Sequence, residues 1–201
     1  MIDVITRKQI DEGKSYKCGP FSLEAVLRYY GSEKTADDIW EKSAVKRTIN
    51  DQMATSTIKL VQFANNEGLC ATMYKAKDIA ASLDVLDRVG ATAMLVVAFR
   101  HPGDIIGHSI VFRGRVEGGY EFSDPGREMG DFRVMSAQEI TDFAAETGVE
   151  VTGNIFVTFA REAATRVCPH CGKEFPVALA DELGDTVYGP ICSHCDNGDW
   201  E

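Results

Sequence analysis

The sequence has no long apolar run, no apolar N-terminal core and no excess of positive charge. No stretch approaches the roughly 18 apolar residues that a membrane-spanning helix needs. The first residues, MIDVITRKQIDEG, lack the apolar core of a signal peptide. Lysine and arginine number 21 against 31 aspartates and glutamates, which gives a net charge of -10. These absences predict a cytoplasmic protein that neither enters a membrane nor binds nucleic acid.

Internal repeats and low-complexity tracts are also missing, so the 201 residues are expected to form ordinary globular structure. The hydrophobic content of 44% is enough for one well-cored domain and a small appendage. The sequence pattern changes near residue 165. We therefore predict a domain over residues 1–164 and an appendage over residues 165–201.

Helix signals dominate the start of the first domain and strand signals its later part. Apolar residues recur at helical spacing in four early segments, 20–30, 35 onward, 56–66 and 77–89. β-Branched and aromatic residues then mark strands over 92–99, 108–114, 120–124 and 154–160, with a capped helix over 137–146 between the last two. This order predicts an α+β fold in which helices pack on an antiparallel sheet.

The stretch GHSIVFRGRVEGGYEFSDPG predicts a β-hairpin that ends in a turn. With a turn centred near residue 116, His108 would pair directly with Asp124. Directly opposed residues have Cβ atoms about 4.5–5.5 Å apart, a distance at which a carboxylate can hold an imidazole. The expectation depends on the turn, because a one-residue shift would put the two side chains on opposite faces.

Cys18 stands where the first helix begins, in YKCGPFSLEAVLRYYG. A thiol at a helix N-terminus lies near unpaired N–H groups and the positive end of the helix dipole, which lower its pKa. A single cysteine is more often structural, and Cys70 is predicted to be such a core thiol. Combined with His108 and Asp124, however, Cys18 completes a set of nucleophile, base and orienting carboxylate.

The segments CGPFSLEAVLRYYG, GHSIVF and FSDPG resemble the bacteriocin-processing type of papain-like cysteine peptidase, the double-glycine leader peptidases. Members carry Cys-Gly-Pro at the start of a long helix, a Gly-His strand and an Asp-Pro step after the next strand. The resemblance covers residues 9–160 and implies a two-lobed papain-like fold that acts on a peptide or protein substrate. It also implies Cys18 as nucleophile, His108 as general acid and base, and Asp124 as the group that orients the imidazole.

The glutamine that donates to the oxyanion in this family has no direct counterpart here. Its usual position is occupied by Glu12, and a carboxylate cannot donate a hydrogen bond unless it is protonated. Gln9 would reach the same place if the segment DEGKS bulged by three residues. The sequence is therefore compatible with a thiol hydrolase, with an acyltransferase that uses the same residues, and with a weakly active or inactive binding module.

Two Cys-x2-Cys pairs, CPHC and CSHC, dominate the appendage. Their spacing predicts four thiolates around one tetrahedral Zn²⁺ ion, from Cys168, Cys171, Cys192 and Cys195. A complete shell of four thiolates leaves no open position, so the zinc is expected to be structural. The segment resembles a zinc ribbon, and the histidines inside the two pairs are expected to be bystanders.

Charge limits what this ribbon can bind. From Val167 onward Lys173 is the only lysine or arginine, and seven acidic residues accompany it. This excess of acidic residues argues against binding of DNA or RNA. It favours a protein partner or a stabilising cap on the peptidase domain.

Overall fold

The computed structural model describes residues 1–9, 16–46, 53–101, 104–145 and 153–195. Its helices are α1 Cys18–Tyr29, α2 Ala36–Ser43, α3 Thr57–Asn66, α4 Ile79–Val89, α5 Ala137–Ala145 and α6 Ala180–Leu183. The first five begin within two residues of their predicted starts, and the capping boxes at Thr35 and Ser136 are formed. None of the helices in this part of the chain is long and apolar enough to cross a membrane.

Seven strands form one antiparallel sheet in the order β11-β3-β8-β4-β5-β6-β7. They are β3 Cys70–Ala76, β4 Ala93–His101, β5 Asp104–Val116, β6 Gly119–Ser123, β7 Arg133–Met135, β8 Ile155–Ala160 and β11 Val187–Ile191. Two small sheets pair β1 Ala44–Lys46 with β2 Met53–Thr55, and β9 Thr165–Val167 with β10 Glu174–Pro176. The predicted α+β class is confirmed.

The core lies on both faces of the large sheet. On one face α1, α2 and α3 contribute Leu23, Ile39 and Leu60, and on the other α4 and α5 contribute Leu83 and Ile140. All five side chains are at most 2% exposed. This packing fixes α1 directly over β5, so the start of the helix meets the start of the hairpin.

The β5–β6 hairpin corrects the predicted register. Phe112 pairs with Phe122 and the turn closes between Val116 and Gly119, because the turn lies further along the chain and β5 bulges after Phe112. The predicted direct pairing of His108 with Asp124 is therefore wrong. The shift at Phe112 is two residues, an even number, so residues predicted to share a face still share it.

The segment beyond residue 164 is joined to the large sheet. β11 pairs with β3 at its edge. The buried Thr72 hydroxyl donates to the Pro176 carbonyl over 2.9 Å and accepts from the Ala178 N–H over 2.8 Å. Tyr74 also donates its hydroxyl to the Ala178 carbonyl over 2.8 Å. The domain boundary near residue 165 stays a prediction. β3, which precedes it, and β11, which follows it, belong to the same sheet.

Replacing Thr72 with valine should lower the free energy of unfolding by about 1–3 kcal/mol, because the buried Ala178 N–H loses its acceptor. Urea unfolding followed by circular dichroism measures the change. The matched control is Thr141→Val, since the exposed Thr141 hydroxyl bonds the Ala137 carbonyl of its own helix; its cost should stay within about 0.5 kcal/mol. Equal losses in the two variants would contradict the role of Thr72 in joining the segment beyond residue 164 to the large sheet.

Candidate active site

Cys18 is the first residue of α1, and its side chain is buried. Its sulfur lies 4.0 Å from the carbonyl of Gly107, the residue before His108. Burial disfavours the thiolate, but hydrogen bonding and charge from His108, helped by the backbone of Ser109 and Gly19, outweigh it and lower the pKa of Cys18. The neighbouring imidazole, more than the start of the helix, therefore favours the thiolate form.

His108 lies on β5 between Cys18 and Asp124. Its Nε2 is 2.6 Å from the Asp124 Oδ1, so its hydrogen bond with the Cys18 thiol falls to the other ring nitrogen, Nδ1. Burial disfavours the imidazolium, yet the bonds to Asp124 and Cys18 raise the pKa of His108 to about 9. A raised imidazole pKa beside a lowered thiol pKa favours a thiolate–imidazolium pair at neutral pH.

Asp124 closes the chain of hydrogen bonds, and its side chain is 0% exposed. Oδ1 accepts from His108 and, over 2.8 Å, from the Gly126 N–H. Oδ2 accepts from the Arg133 Nε over 2.8 Å and lies 2.7 Å from its Nη2. Burial opposes ionisation, but the charge and hydrogen bond of His108, helped by Gly126 and Arg133, hold the pKa of Asp124 well below its usual range. The carboxylate is thus ionised and fixed in orientation.

Sequence reasoning missed Arg133 and Gly126. Arg133 reaches Asp124 because β7 pairs with β6, with Phe122 opposite Arg133, and nothing in RVM marks that partnership. A side chain at Gly126 would crowd the carboxylate, since a Cβ there would lie 3.1 Å from Asp124 Oδ1, although its 3.5 Å distance from His108 Cε1 is an ordinary contact. The DPG turn gave the available signal for Gly126, because it predicted a tight turn at that point.

Gln9 lies beside this turn. Its backbone N–H donates to the Pro125 carbonyl over 2.8 Å, which puts it next to Asp124 in space. Its Oε1 is buried and has no hydrogen-bond partner among the described residues. Glu12, the other candidate for the oxyanion position, lies outside the described residues. The Gln9 side chain is thus half-buried, with a buried carbonyl oxygen, beside the turn that carries Asp124.

The four cysteines of the appendage converge as a potential metal site. Their sulfur atoms all lie within 4.8 Å of one another. The Cys168–Cys195 and Cys171–Cys192 sulfurs are 3.6 and 3.8 Å apart. Four thiolates at the usual Zn–S distance of about 2.3 Å would be about 3.8 Å apart along each edge of the tetrahedron. These spacings fit a single tetrahedral ion, and all six cysteines of the chain, which the structure describes, are free of disulfides.

His194 contacts the cysteine cluster without joining it. Its backbone N–H donates to the Cys192 sulfur over 3.4 Å, and its ring contacts the Glu174 carbonyl at 3.1 Å. Such N–H donors commonly support a thiolate ligand. The His194 ring is thus held by a backbone carbonyl and is not used as a metal ligand.

No family model matches the chain, and no curated protein is similar enough to be matched. Solved structures are similar. The peptidase domain of Streptococcus ComA, a bifunctional ABC transporter of a quorum-sensing pathway, is 23% identical with a TM-score of 0.55; the match covers 79% of this chain and 99% of that one.

Two further structures agree with the first. A double-glycine-motif protease from an AMS/PCAT transporter, solved with its leader peptide, is 16% identical with a TM-score of 0.51, over 77% of this chain and 90% of that one. A putative C39-like peptidase from Bacillus anthracis is 13% identical with a TM-score of 0.55, over 82% and 98%. The resemblance to bacteriocin-processing peptidases is thus confirmed at the level of the fold.

The His108 imidazole should titrate near pH 9, well above the usual value of about 6.5. Replacing Asp124 with asparagine removes the anion that stabilises the imidazolium, so the midpoint should fall by about one unit or more. NMR titration of the histidine Cε1 protons measures both values, with His108→Gln to assign the resonance. The control Asp131→Asn removes an exposed carboxylate bound to Arg127. A wild-type midpoint near 6.5 would contradict the paired state.

Proposed function

We propose that the protein is a cysteine peptidase in which Cys18 is the nucleophile, His108 the general acid and base, and Asp124 the orienting carboxylate. The observation that carries the proposal is geometric: the buried Cys18 sulfur lies 4.0 Å from the carbonyl of Gly107, the residue before His108, and the His108 Nε2 lies 2.6 Å from the buried Asp124 Oδ1. The nucleophile is on a helix and the base on a sheet, so both are held by rigid elements. This is the arrangement that thiol-based acyl transfer needs.

In the first step the Cys18 thiolate attacks the carbonyl carbon of a peptide bond. A C–S bond forms and the carbonyl electrons move onto oxygen. The His108 imidazolium then gives its proton to the amide nitrogen as the C–N bond breaks, and the amine leaves. A thioester on Cys18 remains, with a neutral imidazole held by Asp124.

In the second step water replaces the amine. His108 takes a proton from the water as its oxygen attacks the thioester carbon. The C–S bond breaks, the acid product leaves, and the thiolate–imidazolium pair returns. An amine in place of water would make the same site an acyltransferase.

The negative oxygen formed in each step needs donors. N–H groups in the first turn of a helix have no acceptor within the helix, so the backbone of Cys18 supplies one. For the second donor we propose the Nε2 group of the Gln9 side-chain amide, because Gln9 is half-buried and its backbone is anchored to Pro125, next to Asp124. An amide donor of this kind is worth about a hundredfold or more in rate.

For the substrate we propose a peptide or protein segment. Two solved structures with the same fold are peptidase domains of transporters, and one was solved with a leader peptide. For the cysteine cluster we propose a structural Zn²⁺ ion held by Cys168, Cys171, Cys192 and Cys195. We further propose residues 1–164 as the peptidase domain and residues 165–201 as the ribbon, which stabilises the domain and offers an acidic surface to a protein partner.

The state of Cys18 is tested by its alkylation with iodoacetamide between pH 5 and 8, followed by mass spectrometry of the Cys18 peptide. We expect a midpoint well below the value of about 8.5 for a free thiol, because His108 stabilises the thiolate. His108→Ala should slow alkylation at pH 6 by about tenfold or more. Cys18→Ser identifies the peptide, and Cys70→Ser is the matched control because its half-buried thiol bonds the Arg161 carbonyl and is no part of the candidate site.

Hydrolysis of 4-nitrophenyl acetate provides the catalytic readout that does not depend on knowing the peptide substrate. Cys18→Ser and His108→Ala should both abolish turnover. If Cys18 reacted slowly at every pH and His108→Ala had no effect, the protein would be a binding module on a peptidase scaffold, and the proposal would be overturned.

The metal proposal predicts one zinc ion per chain, measured by plasma mass spectrometry on protein expressed in zinc-supplemented medium. Cys171→Ser should lose most of the zinc and lower the Tm by several degrees, since the ion stabilises the folded ribbon. Cys70→Ser should retain full zinc. Protein that keeps its Tm in excess chelator after the zinc has been removed would contradict a structural role.

A further inference from the structure

An N-terminal segment, residues 2–9, is called the strap. It runs between the two parts of the candidate site: the turn that carries Asp124 and the helix α1 that carries Cys18. On one side the Thr6 N–H donates to the Ser123 Oγ over 2.8 Å, and the Gln9 N–H donates to Pro125. Ser123 and Pro125 flank Asp124 directly. On the other side Arg7 contacts α1, the helix that begins with Cys18.

The contact with α1 is a two-point ion pair. The Arg7 Nε donates to Glu24 Oε1 over 2.8 Å and its Nη2 to Oε2 over 2.6 Å. Bidentate pairing of this kind fixes direction as well as distance, which a lysine could not do. The Glu24 side chain is only 5% exposed, whereas that of Arg7 is 49% exposed. The carboxylate is therefore a buried anchor, and Arg7 ties the strap to it from the surface.

Glu24 has further partners that keep it in place without Arg7. It accepts from the Ala36 N–H at the start of α2 over 2.8 Å, and Arg28 of its own helix also binds it. The removal of Arg7 would thus leave Glu24 paired and α1 intact. What it would remove is the attachment of the strap to α1, two residues before Gln9, while the hydrogen bonds to Ser123 and Pro125 would remain.

We propose that Arg7 and Glu24 are positioning residues for the Gln9 amide, an inference that rests on the proposed role of Gln9 as an oxyanion donor. The Gln9 backbone is pinned to Pro125 on the Asp124 side, and Arg7 pins the same strap to the Cys18 helix. Together the two attachments fix where the amide lies relative to both halves of the site. The oxyanion position is then set by contacts upstream of Gln9, which compensates for the displacement of the glutamine along the chain.

The test compares two reactions of the same sulfur. Alkylation by iodoacetamide needs the thiolate but forms no oxyanion, whereas acylation by 4-nitrophenyl acetate forms one. Arg7→Met should slow acylation about tenfold and leave the pH profile of alkylation unchanged. In a Gln9→Ala background the same change should cost no more than about twofold, because Arg7 acts through Gln9. Arg7→Lys should recover only part of the acylation rate.

Arg28→Met is the matched control, since it removes a cation from the same carboxylate without touching the strap. It should leave acylation within about twofold of wild type. Equal losses in Arg28→Met and Arg7→Met, or a full tenfold loss in the Gln9→Ala background, would overturn the positioning role. Wild-type protein with no acylation that depends on Cys18 would instead overturn the proposed function itself.

Discussion

Three ionisable side chains share a space with little access to water, and each has to be compensated by the next. The Asp124 side chain is 0% and that of His108 14% exposed, so any one of them charged and alone would be costly. The thiolate is stabilised by the imidazolium, the imidazolium by the carboxylate, and the carboxylate by Arg133 and a backbone N–H. The same compensation that makes the site tolerable in the folded protein holds the sulfur in its reactive form.

The rest of the architecture serves to bring these groups together. α1 supplies the sulfur at its first residue, β5 supplies the imidazole, and the turn after β6 supplies the carboxylate. Packing of α1 on the sheet therefore sets the distance between the sulfur and the imidazole, and the β5–β6 hairpin sets that between the imidazole and the carboxylate. The strap of residues 2–9 adds a third connection, which runs between the helix and the turn.

Local signals predicted much of this arrangement. Residues close together in sequence determine the apolar stripe of α1, the capping boxes at Thr35 and Ser136 and the DPG turn. The sequence pattern was therefore enough to predict them. The β5–β6 register was predicted wrongly because the turn lies further along the chain, between Val116 and Gly119. The bulge after Phe112, which carries no clear sequence mark, then makes the shift an even two residues. The approach of His108 to Asp124 survived because face sharing depends only on even spacing.

Long-range partnerships were beyond the sequence for a different reason. Arg133 reaches Asp124 through pairing of β7 with β6, and Arg7 reaches Glu24 across separate elements. Arginine is common on protein surfaces, so neither arginine indicates its partner residue until the topology is known. The shared edge between the appendage and the sheet was missed likewise, because β3 and β11 are far apart in sequence.

That shared edge also makes the large sheet depend on the appendage. β11 covers the outer edge of β3. An open edge of this kind invites pairing with other chains. Because β11 leads directly into the second cysteine pair, whatever holds those cysteines in place also keeps the sheet edge covered. Loss of order in the appendage would therefore expose a surface prone to self-association.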